Sequence, residues 1–223
     1  MKILIKFPTR ARADKFFSVL DSYIEKCDDI NNVKFVISMD IDDPVMNNDN
    51  IKEKLKGYSK KVDITHHYGN NTTKVEAINS DMEKYQNWDI LLLASDDMIP
   101  QEQGYDTIIR NHMKTHFPDT DGILWYDDGY TTKLNTLSIM GKKYYDRFNF
   151  IYHPSYKSLW CDNEYQDTFI YLAKYCHFER VIIKHIHPNW TGTGVDALLL
   201  KNEAHDPHDR QNYQERKKHN FYL

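Results

Sequence analysis

Three clusters of side chains in this sequence have the chemistry to hold an anion or move a proton: Asp40, Asp42 and Asp43; Asp96 and Asp97; and His185 with His187. Each follows an apolar run. The sharpest case is 88–100, WDILLLASDDMIP, where 90–94 is too short for a membrane span but suits a strand buried on both faces of a sheet. Carboxylates set directly after such a strand are costly unless water, hydrogen bonds or a metal receives them. In a parallel sheet the carboxyl ends of the strands converge on one crevice, so groups far apart in sequence can meet there. A divalent cation holding something anionic is the chemistry this pattern suggests. Taken singly, each cluster reads equally well as a polar turn, because Asp favours turns and helix starts.

The elements that must position these groups follow from apolar spacing. Strands are expected over 2–7, 33–39, 62–67 and 88–94. Helices are expected over 13–26, 50–58 and 71–85, the first with Phe16, Phe17, Leu20, Tyr23 and Ile24 on one face. This alternation predicts an α/β fold with a mostly parallel sheet flanked by helices. The second half is less regular. It predicts helices over 105–116, 142–148 and 165–176, and strands over 122–127, 136–140 and 181–186. From residue 204 the chain turns charged and poor in apolar residues, as in a surface helix or a mobile arm.

Composition narrows the classes. The 223 residues suit one domain, and a net charge of −4 gives no basic field of the kind nucleic-acid binders carry. The apolar start is too short for a signal peptide, and no segment approaches a membrane span. Cys27, Cys161 and Cys176 are odd in number and lack a CxxC pair, which suits reduced thiols and a cytoplasmic location. Sixteen tyrosines would serve a groove for a planar or sugar ligand as well as they would fill a core.

The order of these motifs resembles the glycosyltransferases of the GT-A fold, particularly the family-2-like group. The resemblance rests on a first strand ending in Phe7-Pro8-Thr9-Arg10 and a second ending in Ser38-Met39-Asp40, with Asp42 nearby. It continues through the loop Gly69-Asn70-Asn71-Thr72-Thr73-Lys74 and the DxD-like Ser95-Asp96-Asp97, where serine stands at the first acidic position. It covers roughly residues 1–190. It implies a Rossmann-like single domain with a nucleotide-sugar-binding half (1–100), an acceptor-side half (101–190) and a C-terminal extension (191–223).

The resemblance further implies a metal-dependent transfer of a sugar from a nucleoside diphosphate donor, UDP-sugar favoured, to an acceptor hydroxyl, with inversion. Mn²⁺ or Mg²⁺ would be held by Asp97 and by a histidine, His187 first and His185 second. Donor contacts would come from Thr9, Arg10, Asp40, Asp42, Lys74 and Asp96, with Arg12 as a further cation. The base would be Asp162, or alternatively Glu164, at the start of the helix after Trp160. The acceptor would be a glycan, a small molecule or a modified nucleic-acid base, the last in the host cytoplasm for a virus- or phage-encoded enzyme. Asp127-Asp128-Gly129 would be an acceptor-side or structural turn, and His205, Asp206, His208 and Asp209 a solvated segment.

Two other classes stay open. A sugar-phosphate nucleotidyltransferase would use a related sheet and Mg²⁺, although the 7–13 segment lacks the glycines of its usual phosphate loop. A non-catalytic α/β binding module would carry the same acids purely as turns.

Overall fold

The first strand, β1 (Ile3–Pro8), alternates so that Ile3, Ile5 and Phe7 enter one apolar layer while Leu4 enters the other. A strand buried on both faces belongs in the middle of a sheet, and β1 is central here. In the computed structural model, which describes residues 1–187, 191–192 and 195–223, it lies in a seven-stranded sheet of order β3-β2-β1-β4-β7-β6-β8. The remaining strands are β2 (Val33–Asp40), β3 (Asp63–Gly69), β4 (Ile90–Leu93), β6 (Ile123–Tyr126), β7 (Ile139–Gly141) and β8 (Tyr175–Phe178). A separate antiparallel pair joins β5 (Met98–Pro100) to β9 (Ile183–His185).

β3, β2, β1 and β4 pair in parallel, as βαβ connections require. β7 then inserts antiparallel between β4 and β6, and β8 runs parallel to β6. Every strand of the large sheet except β7 therefore points the same way. The segments following β1, β2, β3, β4 and β6 emerge at one edge.

Helices cover both faces. On one lie α1 (Ala13–Glu25), α2 (Asp49–Tyr58) and α4 (Tyr105–His116), burying Phe16, Leu20, Tyr23, Leu55, Tyr105 and Ile109. On the other lie α3 (Lys74–Asn79), α5 (Lys142–Tyr145) and α6 (Cys161–Tyr171), burying Val75, Ile78, Tyr144, Tyr165 and Phe169. The chain finishes with α7 (Ala197–Glu203) and α8 (Asp206–Lys218).

The helix expected over 71–85 is shorter than its periodicity implied. α3 ends at Asn79, Ser80 turns extended, and Asp81 takes a left-handed φ of 67° before a 3-10 turn at Met82–Lys84. The break has a cause inside the sheet. Lys6 is fully buried on β1, and its ammonium takes the carbonyl of Ser80 (2.6 Å) and the hydroxyl of Ser38, which in turn donates to Asp81 (2.7 Å). A lysine at a helix C-terminus satisfies a carbonyl the helix cannot.

The expected helix over 165–176 is displaced. It begins at Cys161 and ends at Tyr171, Ala173 adopts φ 52°, and Tyr175 and Cys176 belong to strand β8. The tail beyond residue 204 is a packed helix: Phe221 just after it is buried, and Asp209 within it is fully so.

Candidate active site

At the sheet's carboxyl edge, β4 runs out into Ser95-Asp96-Asp97. This segment is a turn, closed by the Met98 N–H donating to the Ser95 carbonyl at 3.1 Å. The Ser95 hydroxyl donates to Asp97, so the residue standing at the first acidic position of the motif supports the second carboxylate directly.

β9 brings the histidines alongside. The Ile186 N–H donates to the Asp97 carbonyl (2.7 Å), and His185 Nε2 stands 3.5 Å from Asp97 Oδ1. His187 is one step further: its ring centroid is 5.5 Å from that of His185. His185 thus contacts Asp97 directly, and His187, packed edge-on against His185, also feels the Asp97 charge. Although burial opposes ionisation, His185, Ser95 and the Lys74 charge hold the Asp97 carboxyl below the usual carboxylate range. Burial pushes the His187 imidazole down to about 4, with His185 adding to the effect.

Lys74 enters from α3. Thr73 caps that helix in a reciprocal capping box with Glu76, which presents the exposed Lys74 in the first turn. Its charge acts on Asp97 and on Asp162. Asp162 lies in the first turn of α6, where burial raises its pKa and Lys74 opposes the rise. β4 and β9 therefore bring Asp97 and His185 into contact, and α3 and α6 place Lys74 and Asp162 within electrostatic range of them.

Glu164 faces elsewhere. Arg216 of α8 grips both of its oxygens (2.7 and 2.8 Å), and Tyr156 donates to it at 2.7 Å. It lines an aromatic cavity of about 370 Å³ with Tyr144, Tyr165, Arg216 and Phe221. A carboxylate so engaged serves the packing of α6 on α8, since leaving either partner alone in the interior would be costly.

Asp40, Asp42 and Asp43 are tied into the loops of β1 and β2. Arg10 donates to Asp40 (2.8 Å) and, in a fork, to Asp42 (2.6 and 2.9 Å). Asn71 reaches Asp40 at 2.9 Å, linking the third loop to the same carboxylate. Asp43 is buried and accepts from the backbone N–H of Ala11 (2.7 Å), fixing the turn after β1. Thr9 is buried, and among the described residues its hydroxyl has no hydrogen-bond partner. A polar hollow of about 520 Å³ opens beside this region, walled by Asn70, Asn71, Thr72, Asn79 and Pro154 among others.

Arg12 is held as firmly as Arg10. It donates to Asp96 (3.0 Å) and forks onto Asp196 (2.7 and 2.8 Å), the N-cap of α7. Asp196 was not anticipated from the sequence. Its position just before Ala197-Leu198-Leu199 is the N-cap signature that would have found it.

Asp128 forms a structural turn. Gly129 (φ 88°) lets the N–H groups of Tyr130 and Thr131 turn back onto Asp128 (2.8 and 2.7 Å), and the Asp128 carbonyl accepts from the His185 N–H at 2.9 Å.

Comparison with solved structures identifies the architecture. The chain superposes on the mannosyltransferase PcManGT from Pyrobaculum calidifontis, in complex with GDP-Man and Mn²⁺, with a TM-score of 0.61 at 12% identity over 81% of its length. It superposes on residues 1–349 of S. aureus TarS with a TM-score of 0.65 at 13% identity over 86%. The UDP-GlcNAc complex of the same TarS fragment gives 0.64 at 13% over 87%.

The fold is that of the GT-A-like nucleotide-sugar glycosyltransferases. The chain spans 55% of the length of the PcManGT structure and 62% of the TarS fragment. No protein-family model matches the sequence, and no curated protein matches it. In the GT-A-like frame the seven-stranded, mostly parallel sheet and its flanking helices agree with the expectation from the sequence. Among the described residues, no helix is long and apolar enough to cross a membrane.

Proposed function

We propose that the protein transfers a sugar from a nucleoside diphosphate donor to an acceptor hydroxyl, with a divalent cation bound at Asp97 and with inversion at the sugar carbon. The observation that supports this reading is the contact of Asp97 with His185 at the sheet's carboxyl edge in a GT-A-like fold, with the Lys74 charge acting on both Asp97 and Asp162.

The donor set fits a cation shared with substrate. Among the described residues no group of three His, Cys, Asp or Glu side chains is gathered to hold a metal alone. Mg²⁺ and ions like it characteristically take one or two protein ligands and draw the rest from water and substrate phosphates. A carboxylate oxygen and an imidazole nitrogen 3.5 Å apart suit Mn²⁺ or Mg²⁺ in that manner. When bound, the cation supplies Lewis-acid stabilisation of the departing diphosphate.

The chain's own groups do the rest. Lys74, at a helix start, receives the diphosphate, whereas Arg10 and Arg12 are taken up by Asp40, Asp42, Asp96 and Asp196. Asp40, steadied by Arg10 and Asn71, contacts the nucleoside, with Thr9 and Asp42 alongside. Asp96, on the turn beside Asp97, faces the ribose or the donor sugar. Asp162 takes the proton from the acceptor hydroxyl, and the pKa raised by its burial strengthens it as a base.

Thermal unfolding with UDP and GDP, each with and without Mn²⁺, tests the reading. A Mn²⁺-dependent rise in Tm with one of the diphosphates is expected, because a ligand that binds only the folded state stabilises it. No shift with either would overturn the proposal.

A further inference from the structure

The acidic and histidine cluster at 205–209 lies outside the site described above, yet one of its members is fully buried. Asp209 on α8 accepts from three consecutive backbone N–H groups, those of Lys157 (3.0 Å), Ser158 (2.8 Å) and Leu159 (2.9 Å), and His208 Nδ1 lies 2.9 Å from it. Successive amides aimed at one carboxylate form an anion seat. The anion occupying it comes from 50 to 52 positions further along the chain.

The seated segment leads straight into the proposed base. Trp160, the N-cap of α6, adopts φ 62°, a left-handed conformation that a bulky residue keeps only where its surroundings enforce it. α8 supplies that enforcement. The Trp160 indole N–H donates to Asp206 (2.8 Å), Tyr213 packs against the indole with centroids 5.3 Å apart, and the Arg210 guanidinium lies over it at 5.4 Å. The same segment is fastened to α3, where the Val75 N–H donates to the Lys157 carbonyl at 3.1 Å, one residue after Lys74.

We propose that Asp209 is a positioning residue, its carboxylate fixing the 157–160 turn so that Asp162 is delivered beside Lys74 at the start of α6. The inference rests on the assignment of Asp162 as the base and adds the element that holds it in place. A misplacement of about 1 Å in a reacting group costs on the order of a hundredfold in rate. An uncharged residue at 209 would loosen three amides at once.

Asp209→Asn keeps the shape and removes the charge, and Trp160→Phe removes the indole donor together with part of the ring surface that Tyr213 and Arg210 contact, should the first variant fail to fold. Three readouts apply: amide exchange across 157–164, affinity for UDP and GDP with Mn²⁺, and release of diphosphate from UDP-GlcNAc and GDP-mannose with water as acceptor. Expected are exchange at least tenfold faster confined to that segment, diphosphate affinity within twofold of wild type, and kcat lowered tenfold or more at unchanged KM. Unchanged exchange, or faster exchange with unchanged kcat, overturns the positioning role. Parallel loss of affinity and turnover also overturns it, by showing a general effect on the fold. A wild-type protein that binds neither diphosphate removes the catalytic reading of Asp162 itself, and amide exchange still reports whether Asp209 holds the turn.

Discussion

Asp97 Oδ1 lies 3.5 Å from His185 Nε2, joining the turn after β4 to the last residue of β9. The contact is braced on both sides, by the Ser95 hydroxyl on the carboxylate and by the Ile186 N–H on the Asp97 carbonyl. Replacing Asp97 with alanine should abolish Mn²⁺-dependent stabilisation by a diphosphate while leaving the apo protein folded. At a diphosphate concentration a hundred times Kd the lost increment is about 2.7 kcal/mol, readable as a missing Tm shift.

The charge of Lys74 acts on both Asp97 and Asp162. Lys74→Met should weaken diphosphate binding by about tenfold, or about 1.4 kcal/mol, with an effect that shrinks at high salt. Titration calorimetry at two ionic strengths measures both. Equal affinity in wild type and variant would remove Lys74 from the phosphate site.

Asp162→Asn should spare diphosphate affinity and lower turnover by about a hundredfold or more, the range general bases contribute. Weakened binding with intact turnover would assign Asp162 to the donor and not to proton transfer.

Glu164 and Arg216 form a buried ion pair that ties α6 to α8. Arg216→Met strands the carboxylate and should cost about 3 kcal/mol in urea unfolding, whereas replacing both partners with apolar residues should recover most of that loss. If the single variant unfolds at the wild-type midpoint, the pair does not hold the helices together.

Lys6 makes stability depend on pH in the alkaline range. Burial lowers its pKa to about 8 against 10.5 for an exposed lysine, with Asp81 opposing the shift. Between those values the unfolded chain binds more protons than the folded one, so the Lys6 contribution to stability rises with pH from about 8 to 10.5. The maximal slope is about 1.4 kcal/mol per pH unit. Tyrosines and cysteines titrate in the same range, so the comparison is with Lys6→Met. The stability of wild type relative to the variant should increase between pH 8 and 9.5.

The first half was legible because its signals are local. β1 to β4 are short apolar runs separated by amphipathic helices, and their order implied parallel pairing. β7 and β8 were harder. Ile139–Gly141 is only three residues long, and the Tyr175–Phe178 strand shares aromatic spacing with the helix before it. The cluster at Asp96 and Asp97 was visible as acids after a greasy strand. The contact of Asp97 with His185 was not, because the β5–β9 pairing behind it links residues 98–100 to 183–185. The occupation of Arg10, Arg12 and Glu164 by carboxylates and an arginine was likewise invisible, since each partner lies 30 or more positions away. Asp209 read as solvated because its charged neighbours masked a burial that only the 157–159 amides explain.

The pairing of Arg12 with Asp196 closes a span of 184 residues. Contacts of that separation carry the largest loop-closure entropy and are made late, whereas the βαβ units of the first half need only neighbouring segments. Refolding should therefore pass through a stage in which β1 to β4 are protected from hydrogen exchange while Arg12, Asp96 and the turn before Asp162 are still unformed. Binding competence would be acquired in the final kinetic phase, after most of the hydrophobic sheet has already assembled.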